Sequence, residues 1–334
     1  MPRAVILTAL PVEYQAVRTY LIKLREKEHP QGTIYEEGKF VANGQEWEVG
    51  IAEIGAGNTV AAAATERVIA YFKPNILLFV GIARGIKDVK IGDVVAATDV
   101  YGYESGKVGD GFFTRPKVGK SADRLVHRAR AEARKQEWLQ RLSSNPVSEP
   151  CVFVAPIAAG QKVIASKKSD IFEFLRASYN DAIALEMEGF GFLSAAFAYP
   201  DIPAIVIRGI SDLIEGKNDD AIEPEEVRQK KASLHASAFA FQILSKLQTT
   251  QSVKPALDHL PMQKPKEQVL GLLNRLLPSQ LDTVIFRYDV ELAHLSNGTP
   301  NQRSIELIRY ALQKEGTDLS QLLTVIYTVV PHMK

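Results

Sequence analysis

The sequence predicts an α/β fold: a helix-covered, largely parallel sheet followed by a small all-α module. Three observations carry this. Residues 76–80 and 204–207 are short, wholly apolar runs, and 4–9 is apolar but for Thr8, as strands buried on both faces should be. Residues 4–85 alternate apolar runs with a helix-forming segment and glycine-bearing loops, the order of a parallel sheet with crossover helices. Beyond a polar stretch with three prolines at 249–265, strand signals give way to amphipathic helical spacing.

Taken in order, residues 4–9 form the first strand, and Pro11 opens a helix whose first turn carries Glu13, just past a strand end. Residues 45–53 alternate as a half-buried strand, with Trp47, Val49 and Ile51 on one side. Gly55-Ala-Gly57 then breaks the chain, and Asn58-Thr59 caps an Ala-rich helix that Pro74 stops. The strand at 76–80 runs into a second glycine loop, Gly81-Ile-Ala-Arg-Gly85, and residues 91–96 give another strand. Neither glycine loop has the spacing of a dinucleotide or P-loop motif. Residues 101–113 form an aromatic, glycine-broken loop or partner contact.

Residues 121–142 are helical and locally basic, with Arg124, Arg128, Arg130, Arg134, Lys135 and Arg141. Such a cluster is either a solvated face or a phosphate-attracting wall. A linker at 146–150 leads to a strand at 151–157, a loop at 158–164 and a short helix at 170–177. Glu186 and Glu188 then flank Met187 at the mouth of a helix over 189–199. The strand at 204–207 ends in Arg208 and Ser211-Asp212, and a helix over 226–247 closes the domain.

The predicted organisation is therefore a catalytic domain at 1–249, a linker at 250–265 and a helical interaction domain at 266–334. In the last part, Ser279-x-x-Asp282 and Thr299-Pro-Asn-Gln302 read as helix caps, and Leu319, Leu322, Leu323, Ile326 and Val330 share one helix face. A net charge of +1 over 334 residues gives no global reason to expect nucleic acid or a membrane as partner. The single cysteine, Cys151, cannot close an intrachain disulfide, and no apolar run approaches a membrane span or a secretory leader. A cytoplasmic location is the expectation.

Polar groups just past buried strands are where open α/β sheets bind ligands. If Glu13, Glu188, Arg208 and Asp212 meet there, they suit cleavage of an N-glycosidic bond. That transition state carries positive charge on the ribose and negative charge on the departing base. Asp212, its proton retained by burial, would serve the base; Glu13, with Arg208, would activate water; Glu188 would accept from the ribose hydroxyls and Met187 would pack on the sugar. Phosphorolysis would instead need Arg84 and Arg208 to hold phosphate. Taken one at a time, Glu13 is equally a first-turn helix acid, Met187 a core residue and Asp212 a loop cap with Ser211.

Five ordered blocks turn this into a specific likeness: Thr8-Ala-Leu-Pro-Val-Glu13, Val80-Gly-Ile-Ala-Arg-Gly-Ile86, Ile91-Gly-Asp-Val-Val95, Leu185-Glu-Met-Glu-Gly189 and Arg208-Gly-Ile-Ser-Asp212. With them, residues 1–250 resemble the purine nucleoside phosphorylase and uridine phosphorylase superfamily, and within it the methylthioadenosine/S-adenosylhomocysteine nucleosidases. The resemblance implies a three-layer domain with a twisted mixed central sheet, a homodimer, and hydrolysis of an adenine nucleoside or nucleotide with no metal or organic cofactor. It places Glu13 and Arg208 at the water, Glu186, Met187 and Glu188 at the ribose, Ser211 and Asp212 at the purine, and Val163 and Ile164 beside the base. Ala83 and Arg84 would border the pocket; Ile82 and Arg84 stand where the family has a small residue and glycine. Those departures keep a 5′-phosphorylated substrate alongside methylthioadenosine. A phosphate-dependent phosphorylase and a non-catalytic nucleotide sensor are the rival readings. The C-terminal helices resemble effector-associated, death-like adaptor domains, which implies recruitment to a protein partner in a signalling or defence assembly.

Overall fold

The computed structural model describes residues 1–143, 149–162, 168–214, 223–247, 265–290, 298–315 and 319–330. It divides into two compact units, Met1–Gln251 and Ser252–Lys334. Most of the predicted linker, and part of the 146–150 stretch, lie outside the described residues.

The first unit starts with β1 (Arg3–Thr8) and α1 (Pro11–Arg18), followed by β2 (Ile22–Glu28), β3 (Ile34–Ala42) and β4 (Gln45–Glu53). Helix α2 (Asn58–Phe72) leads to β5 (Ile76–Gly85) and β6 (Val94–Gly102). A small hairpin, β7 (Gly106–Val108) with β8 (Phe112–Thr114), precedes β9 (Val118–Lys120) and α3 (Asp123–Lys135). Then come β10 (Val152–Ala159), α4 (Asp170–Ser178), β11 (Ala184–Glu186), α5 (Gly189–Ala196), β12 (Ala204–Leu213) and α6 (Glu225–Lys246).

The sheet order is β11-β10-β6-β12-β5-β1-β4-β3-β2, and β11 also pairs antiparallel with β5. That extra pairing closes β5, β12, β6, β10 and β11 on themselves, while β1 to β4 fan out as an open wing. Strands β1, β4, β5 and β12 run parallel; β6 is antiparallel to β12 and parallel to β10, so the sheet is mixed. The mixed sheet that the resemblance implies is what the chain forms: parallel strands dominate its centre, and hairpin connections impose antiparallel pairing at β2–β3–β4. Two apolar layers cover the sheet. One, around Phe79, Val206 and Phe192, lies under α2 and α5; the other, around Leu78, Ile207 and Phe239, lies under α1, α3 and α6.

Two strands run further than their apolar cores suggest, and both extensions build the site. Gly81 to Gly85 is not a loop but the continuation of β5, because β12 on one side and β11 on the other supply backbone partners. Arg208 likewise sits inside β12 rather than past its end. Helix α2 is capped by Gly57 at φ +115°, not by Asn58; the Asn58 side chain instead accepts from the Gly191 backbone at 2.8 Å, tying α2 to α5. The basic segment forms α3 to Lys135 and then a 3₁₀ turn, Glu137–Arg141. Its Arg128 and Lys135 flank the fully buried Glu132, each at 3.3 Å, and Arg141 reaches Gln242 on α6.

The second unit holds α7 (Pro265–Leu273), α8 (Pro278–Arg287), α9 (Pro300–Glu315) and α10 (Ser320–Val329) around a core of Val269, Leu281, Val284, Leu307, Leu322 and Ile326. Thr299 caps α9 as its spacing predicts, accepting from the Gln302 N–H at 3.3 Å. The α8 cap falls elsewhere: Gln280 accepts from the Leu277 N–H at 2.9 Å, so Ser279 lies inside the helix. No helix among the described residues is long and apolar enough to cross a membrane.

Candidate active site

One cleft of about 220 Å³ opens at the ends of β1, β5, β11 and β12. Ala9, Leu10, Glu13, Ala56, Ile82, Ala83, Arg84, Leu185, Glu186, Met187, Glu188, Ser211 and Asp212 line it. Glu13 arrives because Pro11 starts α1 right after β1, folding the first-turn carboxylate back over its own strand end. Its Oε2 accepts from the backbone N–H of Ala9 at 2.7 Å and Leu10 at 3.0 Å, and its Oε1 from that of Ile82 at 2.8 Å. Burial raises its pKa against the pull of Arg208 and these three donors, which makes the ionised form a stronger base than an exposed glutamate.

Arg208 is the hub, fully buried and stacked 4.5 Å over the Phe79 ring. Its Nη2 donates to Glu188 at 3.1 Å and, in a short contact, to Glu186. Burial opposes its charge, but Glu186, Glu188 and Glu13 outweigh that and hold the guanidinium above its usual pKa. Only glycine at position 81 leaves room for it: a Cβ there would lie 2.2 Å from Arg208 Nη1 and 2.5 Å from Glu13 Oε1. Arg208 therefore backs the cleft wall rather than facing the cleft itself.

Glu186, at the end of β11, accepts from the Glu188 and Gly189 N–H groups that begin α5. It is the helix-terminus acid of the pair. Glu188 instead turns toward Gly57, whose N–H donates to its Oε1 at 3.0 Å. Burial, offset by Arg208 and reinforced by Glu186, raises Glu188 to about 7. The folded chain thus binds this proton more tightly than the unfolded chain, whose value is 4.5. Between pH 4.5 and 7 the folded form keeps a proton that the unfolded form has lost, so this group's stabilisation declines as pH rises. Glu188→Gln should flatten that decline, as read from denaturant midpoints across the same range.

Asp212 lines the cleft, partly exposed and engaged at both carboxylate oxygens. Its side chain is 17% exposed, Ser211 donates to its Oδ2 at 2.8 Å, and Arg84 Nε contacts its Oδ1. An irregularity in the β5–β12 register between Ile210 and Asp212 sets Asp212 opposite Arg84. Arg84 is accordingly an ion-pair partner of Asp212 within the cleft. The α3 arginines do not line the cleft, and Arg128 pairs with Glu132. Val163 and Ile164 lie outside the described residues.

Lys162, Glu225 and Gln229 also line the cleft and escaped the sequence reading. Glu225 and Gln229 are one turn apart on α6 and hydrogen-bonded at 2.8 Å. Their i, i+4 spacing on a polar first turn was the available signal, but it resembles any solvated helix start. Among the described residues, no group of three or more His, Cys, Asp and Glu side chains is arranged to hold a metal ion.

A closed mixed sheet between two helical layers, with an acid-lined cleft at its strand ends, defines the class of nucleoside-phosphorylase-like α/β domains. The pattern of the phosphorylase superfamily matches residues 3–245, and the chain belongs to that family. ATP nucleosidase Cap17 of Escherichia coli is 28% identical over 244 residues, covering 66% of this chain and 48% of that protein. The chain thus spans about half the length of that relative. A 5′-methylthioadenosine/S-adenosylhomocysteine nucleosidase of Desulfotalea psychrophila is 28% identical over 184 residues, 52% of this chain and 70% of its own length. In fold, the Neisseria meningitidis 5′-methylthioadenosine/S-adenosylhomocysteine nucleosidase, solved with methylthio-immucillin-A, aligns with a TM-score of 0.60 at 21% identity. That alignment covers 74% of this chain and all of the other.

Proposed function

We propose that the chain hydrolyses the N-glycosidic bond of an adenine nucleoside or its 5′-phosphorylated form, releasing free base. The observation that carries this is the convergence of Glu13 from α1, Glu186 and Glu188 from the β11–α5 junction and Asp212 from β12 on one cleft braced by Arg208. Glu13 takes a proton from the attacking water; Glu188 accepts from ribose hydroxyls with Met187 against the sugar; Glu186 holds the α5 N-terminus and Arg208 in place; Ser211 and Asp212 meet the base. Oxocarbenium charge developing on the ribose is stabilised by the surplus of carboxylates over cations on that wall. Water is favoured over phosphate as nucleophile because Arg208 lies behind the cleft wall with its Nη2 on Glu186 and Glu188, and Arg84 is paired with Asp212.

The kinship with an ATP nucleosidase and with methylthioadenosine nucleosidases supports an adenine base and leaves both 5′ substituents in the substrate class. We assign residues 1–249 to catalysis as a homodimer, and 266–334 to recruitment by a protein partner. Incubating the full chain with adenine and guanine nucleosides, monophosphates and triphosphates, and separating the products by chromatography, tests the reading. Free adenine from at least one adenine substrate, with phosphate absent, is expected. No base from any of them would favour a sensor that binds without cleaving.

A further inference from the structure

A second cavity, of about 460 Å³, lies between the chain just past β5 and the C-terminal end of α4. It shares no lining residue with the catalytic cleft among the described residues. The two are neighbours along the chain all the same: Lys87 on its rim follows Arg84 just past the end of β5, and Ala182 precedes β11. The Ile86 N–H donates to the Ile183 carbonyl at 2.8 Å and ties the two rims together. A cavity of this size takes a small organic molecule rather than a lone ion.

Its lining is divided. Ile86, Leu175 and Ala182 are buried and apolar, and Tyr179 is only 5% exposed. Lys87, Arg176 and Asn180 stand exposed around them. Asp181, the acid of the lining, accepts from the Tyr101 hydroxyl at 2.8 Å. The side chains therefore offer chiefly hydrogen-bond donors, two of them cationic. The carbonyl end of α4 also meets this rim and by itself favours a cation. Its fractional charge, about half a unit, is smaller than the two full charges beside it.

Tyr179 carries the second sign of an occupant. Its ring is fixed against Tyr101 at 5.1 Å and Phe174 at 5.9 Å, and its buried hydroxyl has no hydrogen-bond partner. Folded chains normally avoid the cost of an unpaired buried hydroxyl, and an acceptor oxygen on a ligand would relieve it. Burial raises the pKa of this phenol, so it stays protonated and able to donate.

We infer that this cavity is a second ligand site and that it takes a small phosphate monoester. Phosphoryl oxygens accept from Lys87 and from the Tyr179 hydroxyl within the field of Arg176, and an apolar or ring body lies against Ile86 and Leu175. A phosphate monoester carries about −1.5 to −2 charge at pH 7 and matches the two cations, where a carboxylate carries a single charge. The binding claim is independent of the hydrolase reading.

The test is calorimetric titration of the full chain at low salt, in a buffer without phosphate, with phenyl phosphate and with benzoate. Native chain should bind phenyl phosphate about 10-fold more tightly than benzoate. Tyr179→Phe keeps the ring and removes only the hydroxyl. It should weaken phenyl phosphate about 10-fold, the loss of one hydrogen bond to a charged group, while the melting temperature of the free chain stays the same or rises because no partner is lost. Lys87→Ala, at an exposed side chain, should weaken phenyl phosphate by a similar factor and reduce its salt dependence. No saturable binding by native chain would overturn the inference, as would benzoate bound as tightly as phenyl phosphate. Phenyl phosphate bound undiminished by either variant would do the same, because it would place the ligand elsewhere. Should Tyr179→Phe fail to fold, the native comparison and Lys87→Ala still decide the matter. Base release is read in a separate assay, so failure of the hydrolase reading and failure of this one are told apart.

Discussion

Glu13→Gln should reduce base release by about 10²–10⁴-fold while leaving substrate affinity within a few-fold, the range for loss of a positioned general base. The physical basis is the three backbone N–H groups around the carboxylate. They hold it in one orientation, and burial strengthens it as a base. Glutamine keeps the shape but cannot accept a proton from water, and its amide would turn an N–H toward one of those backbone donors. Single-turnover rates and equilibrium binding, measured separately, check the two halves of this expectation. A variant that cleaves at the native rate would remove Glu13 from the chemistry.

Arg208→Met should cost about 3–5 kcal/mol of folding stability, the range for removing one partner from a buried ion pair. Two buried carboxylates would lose the guanidinium that bridges them. Glu188, which Arg208 pulls toward the ionised form, would respond by holding its proton more tightly, so the variant should recover part of its stability as pH falls toward 5. Denaturant midpoints at pH 5 and 8 would show it. An exposed surface pair of the same kind, such as Arg18 with Glu36 at 2.7 Å, should cost far less when broken.

Much of this architecture was legible from local signals. The strand at 45–53, with Trp47, Val49 and Ile51 turned to one apolar layer, needed only its alternation; the Pro11 helix start and the Thr299 cap needed only turn chemistry. What the residues did not reveal were strand lengths set by neighbours. Gly81 to Gly85 looks like a loop in isolation and is a strand because β11 and β12 bracket it. The same holds at the site. That Glu186 and Glu188 belong together is visible from their spacing, yet their division of labour depends on Gly57 and Arg208, 131 and 20 residues away from Glu188. Asp212 was placed in the cleft by its position after a buried run. Its partner Arg84 is 128 residues distant, and only the register of two parallel strands brings them together.

The most direct test of the central claim follows the oxygen. Cleavage of an adenine nucleoside or nucleotide by the full chain in ¹⁸O-labelled water, with inorganic phosphate present, should yield free adenine and a ribosyl product carrying one labelled oxygen at C1. Unlabelled ribose 1-phosphate as the product would contradict the account, because it would mean that the cleft presents a cation to phosphate after all.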